Sequence, residues 1–407
     1  EEFIWICQIV VLIGILFELF KRAGVLGALA RKFEGGGGHR RGIELTAWGR
    51  GFVIIDDYFS PLLTGAVVRP MSDRAGIPRE KLAFLLDSTT ASVCILVPFF
   101  AWGVYLSGLI DVQAGALGVG GNGLEIFINA IRYNFYPMLM LLFAFLIAAK
   151  VIPDFGQMRI AELRAESTGE LIRPGARPLV SDEVDDVMES VAGREASLTL
   201  ELLVPVLLLL VTGGWSLYAT DSVMIVEAFM LANAWLFAVL AIRGSFSSIE
   251  EVANVIVAGT KSVMAALLSV AMAYALNAVT TMLGAGQFII DQFGSGLSGN
   301  SLVLITFLLT SAISFSTGTS WGAFAMMMPV SLPIAFDFTG GAVEPLIYQT
   351  VAAIAGGGIF GDHASPVSDT TVLSSVGAGS DHIDHVVTQL PYALVVAAIT
   401  AGIYAWM

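Results

Sequence analysis

The chain has 407 residues, of which 56% are hydrophobic and only 13% charged, and a mean hydropathy of +0.80, far from the soluble average. A net charge of −14, with no basic patch, excludes nucleic acid as a partner, and two cysteines in apolar runs, Cys7 and Cys94, exclude a disulfide framework or a thiolate metal knuckle. Neither a Walker loop nor a kinase-like signature is present, so any transport is driven by an ion gradient; no enzymatic activity and no cofactor are expected.

Apolar runs long enough to cross a bilayer recur along the chain, so we expect an all-α polytopic membrane protein. The first residues, EEFIWICQIVVLIGILFELF, lack an initiator methionine and a basic flank, and the chain is expected to begin inside a longer one. Apolar periodicity predicts spans near 3–20, 82–110, 124–150, 199–219, 222–242, 261–283, 346–377 and 391–407. Two further apolar segments, about 45–70 and 301–337, are interrupted by polar clusters.

Basic residues set the topology, because short cytoplasmic loops are rich in Lys and Arg. Lys21, Arg22, Arg31, Lys32, Arg40 and Arg41 precede the first interrupted segment, and Arg69, Arg74, Arg79 and Lys81 follow it. Both its ends are therefore expected on the cytoplasmic side, which a re-entrant hairpin allows and a simple span does not. With a second hairpin entering from outside at 301–337, Lys150 to Arg194, Arg243 and Lys261 all fall inside, and the outer loops at 111–123 and 284–300 hold no basic side chain.

A weak repeat follows. Each half has a hairpin with a polar tip, IIDDYFS or SFSTGTSW, and then a span interrupted by polar residues, LLDSTTAS or FGDHASPVSDTT. Opposite entry of the two halves predicts inverted repeats, with the site at the midplane where broken helices meet. Residues 1–152 are then a first repeat (span, hairpin 45–70, broken helix 82–110, span 124–150) and 199–407 a second (spans, hairpin 301–337, broken helix 346–377, final span). Between them 153–198 reads as a charged cytoplasmic linker, with Pro174, Gly175 and Pro178 preventing a long helix.

Asp56, Asp57, Asp87, Asp362 and Asp369 all fall at predicted membrane depth. A mid-span aspartate costs roughly 2.5 to 3.5 kcal/mol on insertion, so five facing lipid would cost more than about 10 kcal/mol. No Lys or Arg is near in the second half, which leaves a proton or a bound cation as neutraliser. Sodium prefers oxygen ligands, and the interruptions supply them: Ser88, Thr89 and Thr90 beside Asp87, then Ser316, Thr317, Thr319 and Ser320, then Ser365, Ser368, Asp369, Thr370 and Thr371. Pro366 removes a backbone donor and Gly318 allows a sharp hairpin tip. Crowded, poorly solvated carboxylates also hold protons tightly, so one site can alternate between a proton and a sodium ion. His363 stands beside Asp362, either relaying protons or satisfying a buried hydrogen bond. Asp381, His382, Asp384 and His385 read as a solvated helix start with acids at the positive dipole end, the alternative being a metal site or pH sensor.

The runs IIDDYFSPLLTGAVVRPMSD, REKLAFLLDSTTASVCILVPFFAWG, STGTSWGAFAMMMPVSLP and GDHASPVSDTTVLSSVGAGSDHIDHVVTQLPYAL closely resemble the NhaC-type sodium/proton antiporter family, over about residues 3 to 400. The resemblance implies a multi-pass inner-membrane secondary transporter, related to elevator transporters that move a substrate domain against a dimerising scaffold, and so a homodimer in lipid. Motif by motif it points to Asp56, Asp57, Asp87, Thr89, Thr317, Thr319, Asp362, Ser365, Ser368, Asp369 and Thr370, with Na+ near Asp87, Asp362 and Asp369. The family also includes malate/lactate exchangers and sodium-coupled amino-acid carriers. Sodium/proton antiport is therefore the expected function, with Na+ and H+ as transported ions; the alternative is a sodium-coupled carrier of a small organic solute. No Arg or Lys follows Lys261, which leans against an anionic cargo. Intramembrane aspartyl proteolysis is set aside, because Ile359, Phe360 and Gly361 precede Asp362 where that chemistry needs GxGD.

Overall fold

The computed structural model describes residues 2–25, 39–52, 59–98, 101–178, 196–220, 224–264 and 298–407, with isolated positions between them. Among the described residues there is no strand, only a single antiparallel bridge between Pro178 and Asp381. In chain order the helices are α1 (Glu2–Ala23), α2 (Arg40–Arg50), α3 (Phe59–Arg74), α4 (Arg79–Leu96), α5 (Ala101–Leu117), α6 (Gly123–Ile131), α7 (Phe135–Ala148) and α8 (Gly156–Thr168). A π-helical turn at Thr199–Leu203 leads into α9 (Val204–Thr220), followed by α10 (Ile225–Ile242), α11 (Ile249–Ser262), α12 (Gly299–Thr317), α13 (Ser320–Phe338), α14 (Pro345–Ala364), α15 (Asp369–Ala378) and α16 (His382–Trp406). Among the described residues five stretches are long and apolar enough to cross a membrane: Gly123–Ala148, α10, α12, α13 and α16. The protein is a multi-pass, all-helical membrane protein.

Several expected elements need correction. The span at 82–110 is broken, but not at its polar run: Asp87 to Ser92 lie inside the continuous helix α4, and the break comes at Val97 and Pro98. Proline disfavours the helical conformation in the residue before it, and Val97 is extended (φ −106°, ψ 107°). The polar run stays helical because its hydroxyls bond back along the helix, Thr89 Oγ1 donating to Leu85 O at 2.7 Å and Thr90 Oγ1 to Leu86 O at 2.8 Å. The final helix starts at His382 rather than near 391. Within the linker α8 forms ahead of Pro174 and ends on Gly169 in the left-handed region. By contrast, the break in 346–377 falls at Ser365–Ser368, inside the expected polar run, with Ser365 extended before Pro366. Most of the expected span 261–283, and the tip of the first hairpin with Asp56 and Asp57, lie outside the described residues.

Two compact units divide the chain, and each draws on both halves of the sequence. The first, residues 1–35 and 181–271, contains α1, α9, α10 and α11. Here Arg22 at the end of α1 donates to Ser245 O (2.7 Å from Nη2), pairs with Glu251 and lies over the Phe246 ring, and Asn233 Nδ2 donates to Leu12 O at 3.0 Å. The buried Glu201 pairs with Arg243 at 3.1 Å.

The second unit, residues 36–180 and 272–407, holds the remaining helices. α14 runs through its core, buried along most of its length and packed against α12 and α13. Its glycines permit this: a Cβ at Gly361 would lie 2.4 Å from Phe315 N and the Ser314 side chain, so only glycine brings α14 this close to α12. α12 and α13, 19 residues each, are joined by Gly318 (φ +69°) and Thr319, where the left-handed turn reverses the chain without a Cβ penalty.

At one end of this unit lies a buried ion cluster that the sequence did not reveal. Lys81 Nζ, fully enclosed, sits 2.5 Å from Asp154, 3.1 Å from Glu162 and 3.4 Å from Glu44. Lys150 reaches Glu44 at 2.7 Å, and Arg40 pairs with Glu162 and, at 3.5 Å, with Glu44. Three cations thus face three enclosed carboxylates, the exposed Glu166 reaches Arg40 from the rim at 3.7 Å, and Tyr392 donates to Asp154 at 2.8 Å. The cluster fastens α8 to α2, α4 and α16. Lys150 adopts φ +57° just past the end of α7, where Lys150 N donates to Ile147 O at 3.0 Å and Val151 N to Leu146 O at 2.9 Å.

Asp381 ties the linker to α16 at the same end: its carboxylate caps α16, accepting from Ile383 N at 2.9 Å, and also accepts from Arg177 N at 2.7 Å. Burial pushes its carboxyl up, but the N–H groups of Arg177, Asp384 and Ile383 outweigh that and hold it below its ordinary value. A carboxyl depressed on folding adds stability that is present at neutral pH and lost as pH falls through its folded pKa. Asp381→Ala should therefore destabilise the protein in detergent by about 1 kcal/mol at pH 7. In thermal melts the gap to wild type should close as the pH is lowered below the ordinary carboxylate range.

Candidate functional site

Both breaks and the α12–α13 turn belong to the second unit, where the α12–α13 turn meets the break between α14 and α15. A Cβ at Gly318 would lie 2.5 Å from Val367 O, so the turn is pressed onto the break. Ser365 Oγ donates to Phe315 O at 2.7 Å and Ser314 Oγ to Gly358 O at 2.7 Å, fastening α12 to α14. Two helix N-termini, those of α13 and α15, and two C-termini, those of α12 and α14, gather here, so unpaired backbone dipoles of both signs face one small region.

Asp362, buried in the last turn of α14, accepts a hydrogen bond from Ser368 Oγ at 2.5 Å, and Ser368 bonds Thr370 Oγ1 at 2.9 Å. The buried Ser320 hydroxyl and its backbone N–H, first in α13, face the same carboxylate. Thr371 Oγ1 donates to Asp362 O at 3.2 Å, satisfying a carbonyl released by the break.

Asp87 is buried in the middle of α4 and reached from α15 and α16. Its Oδ1 accepts from Ser374 at 3.3 Å and its Oδ2 from Gln389 Nε2 at 2.7 Å; His385 Nε2 lies 3.8 Å from Oδ2. Gln389 also donates to His363 O, coupling the Asp87 pocket to the end of α14. The His363 ring is fully engaged, Nε2 with Ser88 Oγ and Nδ1 with the Tyr136 hydroxyl, each at 3.1 Å. Among the described residues no Lys or Arg reaches salt-bridge distance of Asp87 or Asp362, and no three of His, Cys, Asp and Glu form a metal cage.

The expected residues therefore divide. Asp87, Asp362, His363, Ser365, Ser368 and Thr370 are buried in one connected region, and Thr319, half-buried, starts α13 beside it. Asp369 opens α15 at the break but is exposed, with Thr370 N donating to its own Oδ1 at 2.9 Å. Thr89 and Thr317 are not drawn in: each spends its hydroxyl within its own helix, Thr317 on Ile313 O at 2.8 Å, and the Thr89 side chain packs against Gly51. Asp56 and Asp57 lie outside the described residues. Sequence reasoning missed Gln389, His385, Ser374 and Tyr136. A signal existed for the first two, since His382, His385 and Gln389 recur at spacings of three and four in an apolar helix and so share a face.

Comparison with known proteins agrees in class. The profile of the Na+/H+ antiporter family matches residues 93–407. An uncharacterised Haemophilus influenzae protein is 31% identical over 96% of this chain and 76% of its own length. The malate-2H+/Na+-lactate antiporter of Bacillus subtilis is 30% identical over 42% of this chain and 36% of its own. In fold, the chain is similar to Neisseria gonorrhoeae MtrF, described within a class of antimetabolite efflux pumps, with a TM-score of 0.59 at 14% identity, covering 98% of this chain and 80% of that one.

Proposed function

The chain belongs to the Na+/H+ antiporter family and is a membrane transporter rather than an enzyme, and on that premise we propose that it exchanges sodium ions for protons by alternating access. The observation that carries this reading is a pair of buried carboxylates, Asp87 and Asp362, served by hydroxyls and an amide but by no Lys or Arg among the described residues. A carboxylate in so poorly solvated a place needs a cation or a proton.

The two aspartates are suited to different parts. Asp362 stands where helix termini converge, beside the Ser320 and Ser368 hydroxyls, an oxygen set that fits sodium as cargo. Asp87 has both oxygens committed to donors and a histidine alongside, which fits a proton carrier. Sodium at Asp362 disfavours the proton on Asp87 through the field between them, and the reverse holds, so the ions compete without sharing a seat. Asp369, exposed at the mouth of the break, is placed to draw the cation in.

The finer architecture belongs to the same proposal. α2 to α5 and α12 to α15 each run as a helix pair followed by a helix broken at an X-Pro step, Val97–Pro98 and Ser365–Pro366, which supports inverted repeats with re-entrant hairpins. All the site residues share one unit, as an elevator-type carrier requires. An inner-membrane homodimer completes the reading.

Purified protein in liposomes holding a preset pH gradient tests it. External sodium is expected to collapse the gradient. Failure to do so, together with sodium-dependent accumulation of a labelled dicarboxylate or amino acid, would overturn antiport in favour of an organic-solute carrier of the kind named for the Bacillus subtilis relative.

A further inference from the structure

The stripe His382, His385, Gln389 on α16 runs from the half-exposed first turn of that helix down to buried Asp87, and its hydrogen bonds fix where the protons sit. A carbonyl only accepts, so His382 Nε2, 2.7 Å from Pro366 O, carries a hydrogen. Gln389 must direct its NH2 at Asp87 Oδ2 and His363 O, since the flipped amide would set its oxygen against two acceptors. Its Oε1 is then left facing His385 Nε2 at 3.0 Å, and that nitrogen too carries a hydrogen. When neutral, both rings therefore have a bare Nδ1, and both Nδ1 atoms address a single hydroxyl, Ser375 Oγ, at 3.2 and 2.9 Å.

One hydroxyl hydrogen cannot serve two acceptors, and Thr371 O, 2.8 Å away, is a third claimant. A single additional proton resolves the conflict. The ring that takes it donates from Nδ1 to Ser375 Oγ, and Ser375 donates to the other ring. The arrangement is symmetric, so the proton can reside on either side.

We infer that His382, Ser375 and His385 hold one shared proton and form the path along which protons pass between the surface at the start of α16 and Asp87. The inference rests on the reading that protons are carried, and adds the route. A proton taken up by His382 leaves Nδ1 for Ser375 Oγ as the Ser375 hydrogen passes to His385 Nδ1. His385 then gives its Nε2 hydrogen to Asp87 Oδ2 as the 3.8 Å gap closes, and remains neutral with its hydrogen on Nδ1. Each transfer breaks one N–H or O–H bond and forms one.

The surrounding charges favour this direction. At the inner end stand Asp87 from α4, with Asp362 and His363 from α14. At the outer end are Asp381, which caps α16, and Asp384 within it, Arg173 of the linker paired with Asp384 at 3.0 Å, Arg69 and Arg79 of α3 and α4 over Gly379, and Asp73 of α3 paired with Arg79 at 3.0 Å. The carboxylates at the outer end are thus matched by arginines, whereas Asp87 and Asp362 at the inner end have no Lys or Arg at salt-bridge distance among the described residues.

Ser375→Ala removes the hydroxyl and keeps both rings. In proteoliposomes, sodium/proton exchange should fall by about tenfold or more, whereas sodium/sodium exchange, which needs no proton to enter or leave, should stay within about twofold of wild type. His382→Ala should lose sodium/proton exchange likewise and regain it with imidazole in the buffer. Wild-type sodium/proton exchange in Ser375→Ala, or equal loss of both exchange modes, overturns the relay. Should the wild type itself move no protons, the transport reading fails separately, and nitrogen NMR of histidine-labelled protein still decides the shared proton. Nitrogen shifts that report one hydrogen shared between the Nδ1 atoms of His382 and His385 are expected, changed at His385 by His382→Ala; two rings with bare Nδ1 atoms and no shared hydrogen overturn it.

Discussion

Asp362→Asn is expected to abolish sodium-driven exchange while the protein still expresses and inserts. The substitution is nearly isosteric and the amide oxygen can still accept from Ser368, so the local packing survives. What is lost is the negative charge facing the Ser320 and Ser368 hydroxyls at the meeting of the helix ends. Leaving a buried ion without its partner costs about 3 to 5 kcal/mol, and each 1.4 kcal/mol or so is a factor of ten, so sodium affinity should fall by about 100-fold or more. Thermal melts in detergent with and without sodium chloride read this directly. Wild type should be stabilised by sodium, since a ligand that binds only the folded state raises its stability, and Asp362→Asn should not. Asp87→Asn is the informative companion: sodium stabilisation should persist while proton release on sodium addition disappears. Loss of sodium stabilisation in Asp87→Asn with retention in Asp362→Asn would reverse the assignment of the two carboxylates.

The sequence and the structure agree on this region for reasons that can be stated residue by residue. Ser365–Pro366 was legible as a break because proline constrains both itself and its predecessor, and the glycine at 318 as a turn because few residues take a left-handed backbone. The polar run after Asp87 misled for an equally local reason: serine and threonine hydroxyls can be satisfied by the preceding turn of their own helix, so a polar stretch need not interrupt it. Pro98, eleven residues after Asp87, carried the readable signal. Gln389 and His385 escaped because DHIDH was read as a solvated start, which suits Asp381, whereas one helical turn later the same helix is already enclosed. Burial of a side chain by helices hundreds of residues away, α4 against α16 here, leaves no mark on local pattern. The same limit hid the ion cluster, whose members are scattered from Arg40 to Glu162.

That cluster should give the largest stability effect in the molecule. Lys81→Met keeps the aliphatic length and removes one charge, leaving Glu44, Asp154 and Glu162 against Lys150 and Arg40 in a place where the lysine side chain and Glu44 are fully enclosed. Breaking a buried ionic group from one side costs about 3 to 5 kcal/mol, because the abandoned carboxylate stays desolvated. Reduced yield and a markedly lower melting temperature in detergent are expected. The charge arithmetic supplies a control that separates pairing from simple packing loss. Glu162→Gln added to Lys81→Met restores two cations against two carboxylates, and this double variant should melt well above Lys81→Met alone. Sodium-dependent stabilisation should be retained in the double variant, because the cluster holds α8 against α2 and α4 and touches neither Asp87 nor Asp362. A Lys81→Met protein as stable as wild type would show that the cluster is neutral to folding. A double variant no better than the single one would place the cost in lost packing around the lysine chain.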